Sequence, residues 1–500
     1  MLADLKSTRQ LLDSLPTNNA PKLLQELSHW IEYAIDPANK FRLDHQLAVL
    51  RMLDEAAQPY LEKVINDYFS ASSLNSFHSN SLWIALNEYL MHSGHAYMSV
   101  LRSYRNGEKK SSAIKSDLPL ITARGMNAIY GRLKNAAVRY APADPELWSD
   151  LAEFYALAET QPYLDEPLKL YAESGINTSV QGVFAGALLW HACGAGSLSP
   201  LHMHIAERLI RHLSEYLTID RIYVANSLLA FNLRSPAPPM RLSGESTVHP
   251  GLRYIGVSEA PQFLDDLIGV LEAGRVPEAI KTNIAYSAGI VLEVTRHLAR
   301  CASLTPPLRR TARRKVSVNL CVANGLSKLT ELADTRRGST HEAGETWKTE
   351  DISNNGFLCV IPSGRASKVK IGQLVGLQPE KIDRWGAGIV RRLSRDAGNN
   401  MLIGVEMLSK QIVSVMLHND FDSGSNAGKQ NALYLNTPSD DSGEAWLLLK
   451  PDTFSSQQSL DMIMVGQRYL LMPLELLSHG EDYELARYRK MEQLADSAGG

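Results

Sequence analysis

Two periods divide the chain. Over roughly the first 300 residues apolar side chains recur every three or four positions: Leu43, Leu47, Leu50 and Leu53, then Leu82, Leu86, Tyr89 and Leu90, continuing to Tyr97, Val100, Leu101 and Tyr104. That spacing lays them along one face of a helix, and each face needs a partner helix to cover it. Asp144-Pro145 supplies an N-cap followed by a proline in the first turn, and Leu147, Leu151, Phe154, Tyr155 and Ala158 then share a face, which predicts a helix from Pro145 onward. Within it "WSDLAEFY" has the spacing that opens a tetratricopeptide repeat, but "GVFAGALLW" about one repeat length later does not renew it. An irregular helical bundle and a solenoid-like array are both compatible with this pattern. Residues 234–250, rich in proline, glycine and serine, read as a loop inside the helical part.

After "SLTPP" the period changes to two. "KVSVNLCV", "GFLCVIP", "IGQLVGL", "WGAGIVRRL" and "LIGVEML" alternate or carry β-branched residues and are separated by turn-forming pieces such as "RDAGNN". Several short strands at close spacing predict a small β-barrel over residues 308–418. Beyond it "NALYLN", "EAWLLLKP" and "GQRYLLMPLELL" read as further strands, and "EDYELARYRKMEQL" as a closing helix. The expected fold class is therefore α+β and multidomain: an all-α region over residues 1–300, a β-barrel with its preceding linker over 301–420, and a β/helix extension over 421–500.

Composition adds limits. An apolar fraction of 44% with 21% charged residues is that of a globular protein, and 51 basic against 54 acidic residues exclude a surface that is positive throughout. The N-terminal stretch has no uninterrupted apolar segment of the secretory type, and no window approaches 18 consecutive apolar residues. A cytoplasmic protein without a membrane span is expected. Cys193, Cys301, Cys321 and Cys359 lie far apart without a C-x-x-C, which suits small buried thiols better than disulfides or zinc.

One local feature departs from the even charge balance. Arg300 to Lys315 holds six basic residues and no acidic one, on a proline-containing linker that runs into the first strand. Guanidinium groups fork two hydrogen bonds onto a phosphate or onto the O6/N7 edge of guanine, and their flat faces stack on bases. Further on, "EDISNNGF" places Asp351, Ser353 and Gly356 as D-x-S-x-x-G at the end of a strand. A carboxylate accepts from guanine N1 and N2, a serine hydroxyl donates to a phosphate or base acceptor, and glycine permits a tight turn with close backbone approach.

Arg309, Arg310 and Arg314 as R-R-x-x-x-R, followed by the D-x-S-x-x-G of Asp351, Ser353 and Gly356, resemble the PilZ domain, the bacterial receptor module for cyclic di-GMP. The resemblance covers about 110 residues and includes "WGAGIVRRLSRDAGNNMLIGVEML" as that family's later hairpin. It implies a six-stranded antiparallel barrel. By the same resemblance Arg309, Arg310 and Arg314 clasp the phosphates and guanine faces, Asp351 and Ser353 hold a guanine edge, and Gly356 shapes the turn. One departure is the stretch "LTELADTRRGSTHEAGETW", inserted between the first two strands. Arg391 and Arg392, on an expected strand, either add cations to the pocket or face water.

Other motifs carry no chemistry. His202 and His204 are two apart and diverge on a helix; His92 and His95 are three apart but have no third ligand nearby. There is no P-loop, no nucleophile elbow at "GAGSLS", and neither a G-G-D-E-F-like nor an E-A-L-like signature. The expectation is a receptor without catalysis, cofactor or metal. The resemblance implies cyclic di-GMP as the ligand and a helical region that contacts a protein partner, in surface attachment, type IV pili or motility. The alternative is a scaffold whose barrel has lost the nucleotide. A nucleic-acid polymer is disfavoured because few aromatics lie near the cluster to stack bases.

Overall fold

The computed structural model of the chain describes residues 2–70, 76–172, 177–242, 249–280, 286–305, 313–333, 344–353, 355–362, 364, 369–380, 382–418, 429–436, 443–464 and 466–493. Two compact units divide it, Met1–Pro307 and Leu308–Gly500.

The first unit is built on helices α1 (Leu5–Asp13), α2 (Ala20–Ile35), α3 (Leu43–Ser70), α4 (Ser76–Arg105), α5 (Leu118–Ala137), α6 (Pro145–Ala158), α7 (Val180–Ala192) and α8 (Pro200–Leu213), with α9 (Ala260–Glu272) and α10 (Ala288–Ala302) at its end. Their starts follow from local chemistry: Asn19, Asp144, Ser179, Ser199 and Ser287 each accept a hydrogen bond from a backbone N–H of the first turn, meeting donors the helix cannot satisfy itself. The expected faces are the buried ones, with Leu43, Leu47, Leu50 and Leu53 of α3 and Leu147, Leu151, Phe154, Tyr155 and Ala158 of α6 all inside one continuous apolar cluster. Helices pack on the next or next-but-one helix in sequence, α2 on α3 and α4, α5 on α6 and α7.

A polar hub sits inside this apolar cluster. Asp54 of α3, 1% exposed, accepts from the hydroxyls of Tyr89 and Tyr97 on α4 at 2.7 and 2.6 Å and from Tyr171 at 3.1 Å, and lies 3.4 Å from the Arg124 guanidinium of α5. A carboxylate is costly to bury alone, and here the surrounding donors replace its water.

The first unit is not all helix, which corrects the expected all-α region. Strands β1 (Thr218–Asp220), β2 (Ser227–Asn232), β3 (Met240–Arg241) and β4 (Leu252–Gly256) form an antiparallel sheet in the order β1-β4-β2-β3. Part of what reads as a loop over 234–250 is therefore β3. The two central strands escape a period-two search because every residue of β4, and all of β2 but its last, is buried. A strand covered on both faces has no alternation to display.

In the second unit a two-residue strand, β5 (Arg314–Lys315), leads to β6 (Asn319–Asn324), β7 (Glu345–Ser353), β8 (Gly356–Ile361), β9 (Leu374–Pro379), β10 (Gly386–Arg395) and β11 (Met401–Ser409). All pairings are antiparallel, and the β7–β8 pairing closes β6-β7-β8-β11-β10-β9 into a six-stranded ring with β5 alongside β7. The expected six-stranded barrel is present. Trp347, fully buried, is the largest side chain of its core.

The tail is a second barrel rather than a β/helix extension. Strands β12 (Ile412–His418), β13 (Lys429–Leu435), β14 (Glu444–Leu449), β15 (Leu460–Met464), β16 (Gln467–His479) and β17 (Glu484–Glu492) close in the ring β12-β13-β14-β17-β16-β15. Taking each barrel's strands as first to sixth, both rings run 1-2-3-6-5-4, so one topology occurs twice. β12 already belongs to this second ring, ahead of the expected division at 420, and "EDYELARYRKMEQL" contains β17, not a helix. The insertion between the first two strands carries α11 (Leu326–Ala333), which packs on β6 and β9 of one barrel and β12 and β13 of the other. Leu326, Leu329, Leu374, Ile389, Leu433, Leu448 and Leu485 share one apolar cluster there.

Among the described residues no helix is long and apolar enough to cross a membrane.

Candidate functional site

The approach to the first barrel is stitched down by one hydroxyl. Thr349, 1% exposed in β7, donates to the carbonyls of Val316 and Val318 at 2.7 and 3.1 Å and accepts from the Val318 N–H at 2.8 Å. β5 is thereby laid beside the end of β7, with Arg314 opposite Ile352 and Lys315 opposite Asp351. This brings Arg313, Arg314 and Lys315 to the D-x-S-x-x-G turn, although 37 positions separate Arg314 from Asp351 in sequence (351 − 314).

At that junction Arg313 donates to the Asp351 carboxylate at 3.0 Å. Ser353 donates to the Gly356 carbonyl at 3.3 Å and is paired with Gly356 across the hairpin turn from β7 to β8. Gly356 is required for a steric reason: a Cβ there would lie 2.3 Å from the Val405 carbonyl oxygen of β11. The close approach expected of this glycine is thus made by a neighbouring strand.

A cleft of about 880 Å³ opens beside this turn. Arg314 and Ser353 line it, so residues from both sequence motifs meet in one cavity. Its floor is apolar, formed by Val316, Val318, Leu320, Ile352, Phe357 and Leu377, and Ile382 at its edge is 51% exposed. Two further cations line it from turns that no motif announces: Arg384, between β9 and β10, and Lys410, between β11 and β12. Glu380 supplies the acidic contribution and accepts from the Asn319 side chain at 2.9 Å. An apolar lining that also carries guanidinium and ammonium groups suits a ligand with planar rings and anionic linkers.

Of the expected site residues, Arg314 and Ser353 line the cleft, Asp351 stands beside it in a pair with Arg313, and Gly356 begins β8. Arg309 and Arg310 lie outside the described residues. Arg313, Arg384 and Lys410 were not singled out by sequence; the last two lie 70 and 96 positions beyond Arg314 (384 − 314 and 410 − 314) and meet it only through barrel closure. Arg391 donates to Glu406 at 2.7 Å on the exposed face of β10 and β11, about half exposed, which is the solvated alternative for that pair.

The histidines take structural places. His204 is 3% exposed and stacks on Phe69 with ring centroids 4.6 Å apart. Burial, reinforced by the Lys134 charge, holds its pKa down at about 3. His92 lies 3.5 Å from Glu32, and His95 borders a polar cleft of about 420 Å³ that also holds Arg102 and Asp150. No group of three metal-ligating side chains occurs among the described residues.

With this geometry in place, comparison with known proteins bears on the other end of the chain. Residues 6–223 match the family described as the cyclic-di-GMP receptor FimW, N-terminal domain. The matched stretch runs from α1 through β1 and stops before either barrel. It supports a general role as a cyclic di-GMP receptor. No curated protein matches the chain.

Proposed function

We propose that the chain is a cyclic di-GMP receptor whose nucleotide site is the cleft at the mouth of the first barrel, a PilZ-type module. The observation that carries this reading is the meeting of Arg314 and Ser353, taken from two separate motifs, in one cleft with an apolar floor. Arg309, Arg310 and Arg314 supply guanidinium forks for the two phosphates, Asp351 and Ser353 meet a guanine edge, and Gly356 keeps the turn narrow. The independent match of the helical part to a cyclic di-GMP receptor family supports the same ligand.

Only the first barrel is assigned a ligand. Its first strand is preceded by a connector carrying the arginines, whereas Lys410-Gln411 alone separates β11 from β12. Two residues leave no room for a connector that could fold over a bound dinucleotide.

Function on this reading is binding without turnover, in the cytoplasm. The dinucleotide shifts a conformational equilibrium by the difference of its affinities for the two states, and the helical unit relays the shift to a protein partner in surface attachment, pilus function or motility. Titration calorimetry of the full chain with cyclic di-GMP tests the proposal. Heat is expected with the wild type and is expected to be lost with Arg310→Ala and with Arg314→Ala. Absence of heat with the wild type at high ligand concentration would leave the scaffold reading instead.

A further inference from the structure

Two of the four cysteines meet in the first unit. Cys193 caps the C-terminal end of α7 and Cys301 lies in the last turn of α10. They are 108 positions apart, yet the Cys301 sulfur is 3.5 Å from the Cys193 carbonyl oxygen, which sets the two residues side by side. The Cys301 sulfur is also 3.5 Å from Nε2 of His297, one helical turn earlier, and that nitrogen is 2.7 Å from the Cys193 carbonyl. Arg241 of β3 donates to the carbonyls of Cys301 at 2.6 Å and of Ser303, fixing the end of α10 and adding a positive charge that favours ionised sulfur at both cysteines.

This surrounding treats the thiols unequally. Cys193 is 3% exposed and Cys301 half-buried. The Cys193 thiol, then His297, favour the ionised form of Cys301 and draw its pKa below that of an ordinary thiol, while contact with Cys301 and burial push the Cys193 thiol up. A thiolate is the reactive form of cysteine, and a more accessible thiolate beside a buried second thiol is an attacking and resolving pair. Cys359 is the internal contrast: fully buried in β8, its thiol is pushed up to about 12 by burial.

We propose that Cys193 and Cys301 are a hydroperoxide-reactive dithiol that closes to an intramolecular disulfide across the ends of α7 and α10. The Cys301 proton leaves to water, and the Nε2–H of His297 donates toward the thiolate left behind. The thiolate attacks one peroxide oxygen, so that an S–O bond forms, the O–O bond breaks, and the departing alkoxide or hydroxide is protonated to an alcohol or water. The Cys193 sulfur then attacks the sulfenyl sulfur; the S–S bond forms, the S–O bond breaks, and the departing hydroxide takes the Cys193 proton as water. Two thiols lose two electrons and the peroxide gains them.

The full reduced chain titrated with hydrogen peroxide tests this. The expected product has lost two hydrogens by intact mass, yields a peptide joining Cys193 to Cys301, returns to the starting mass with dithiothreitol, and melts at a higher temperature because the cross-link restricts the unfolded chain. Oxygen addition without loss of two hydrogens, or a cross-link through Cys321 or Cys359, would overturn it. A second measurement needs no variant: iodoacetamide at mildly acid pH is expected to alkylate Cys301 of the untreated protein before Cys321, and the reverse order would overturn it equally. His297→Asn removes the imidazole beside the sulfur and is expected to slow alkylation of Cys301 severalfold at the same pH.

Discussion

At the scale of single residues, burial decides what an ionisable side chain does. His204 has the composition of a pH sensor and the surroundings of a core residue: neither ring nitrogen has a hydrogen-bond partner, and the ring stacks on Phe69. Its ordinary pKa is 6.5 and its folded value about 3. The unfolded chain therefore takes up a proton below pH 6.5 that the folded chain refuses until about pH 3, and stability present above pH 6.5 is lost between those values. By pH 5 this one residue should cost on the order of 2 kcal/mol. His204→Phe keeps the stacked ring without the titration. Denaturant unfolding of the two proteins at pH 7 and pH 5 should show a smaller acid loss in the variant, and equal losses would remove His204 as the source.

At the scale of elements, propensity and packing compete, and packing wins where a segment is flanked on both sides. β17 is rich in helix formers, with Glu484, Leu485, Ala486, Arg487, Lys490 and Met491, but β14 and β16 pair along both of its edges. Two rows of backbone hydrogen bonds outweigh the tenths of a kcal/mol per residue that separate these side chains in a helix. α11 shows a start signal supplied from elsewhere in the chain. The Asp482 carboxylate, from the β16–β17 turn of the second barrel, accepts from the Leu326 N–H at 2.8 Å. Gly325 precedes it with φ +83°, where a Cβ would lie 2.7 Å from that carboxylate. Asp482→Ala removes a helix cap that also ties the two barrels, so a loss of about 1 kcal/mol is expected. Chemical denaturation checks it, and an unchanged midpoint would show that water replaces the carboxylate without cost.

At the scale of the molecule, the chain holds two units with separate apolar cores. Scanning calorimetry should resolve two transitions. Cyclic di-GMP at about one hundred times its dissociation constant should stabilise only the barrel unit, by about 2.7 kcal/mol, because a ligand stabilises the unit it binds. A shift confined to the helical unit would place the nucleotide there and overturn the assignment of the cleft.

The sequence by itself determined the helical faces, most strands of the first barrel and the place of its arginine and D-x-S-x-x-G motifs along the chain, because periodicity and side-chain identity are local properties. Only the tertiary structure decided that β2 and β4 form a sheet buried on both faces, that the tail closes as a second barrel of the same strand order, and that Arg384 and Lys410 join Arg314 around one cleft. It likewise brought Cys193 to Cys301. Each of these depends on contacts between positions tens of residues apart, and such contacts leave no mark on the pattern of any single stretch.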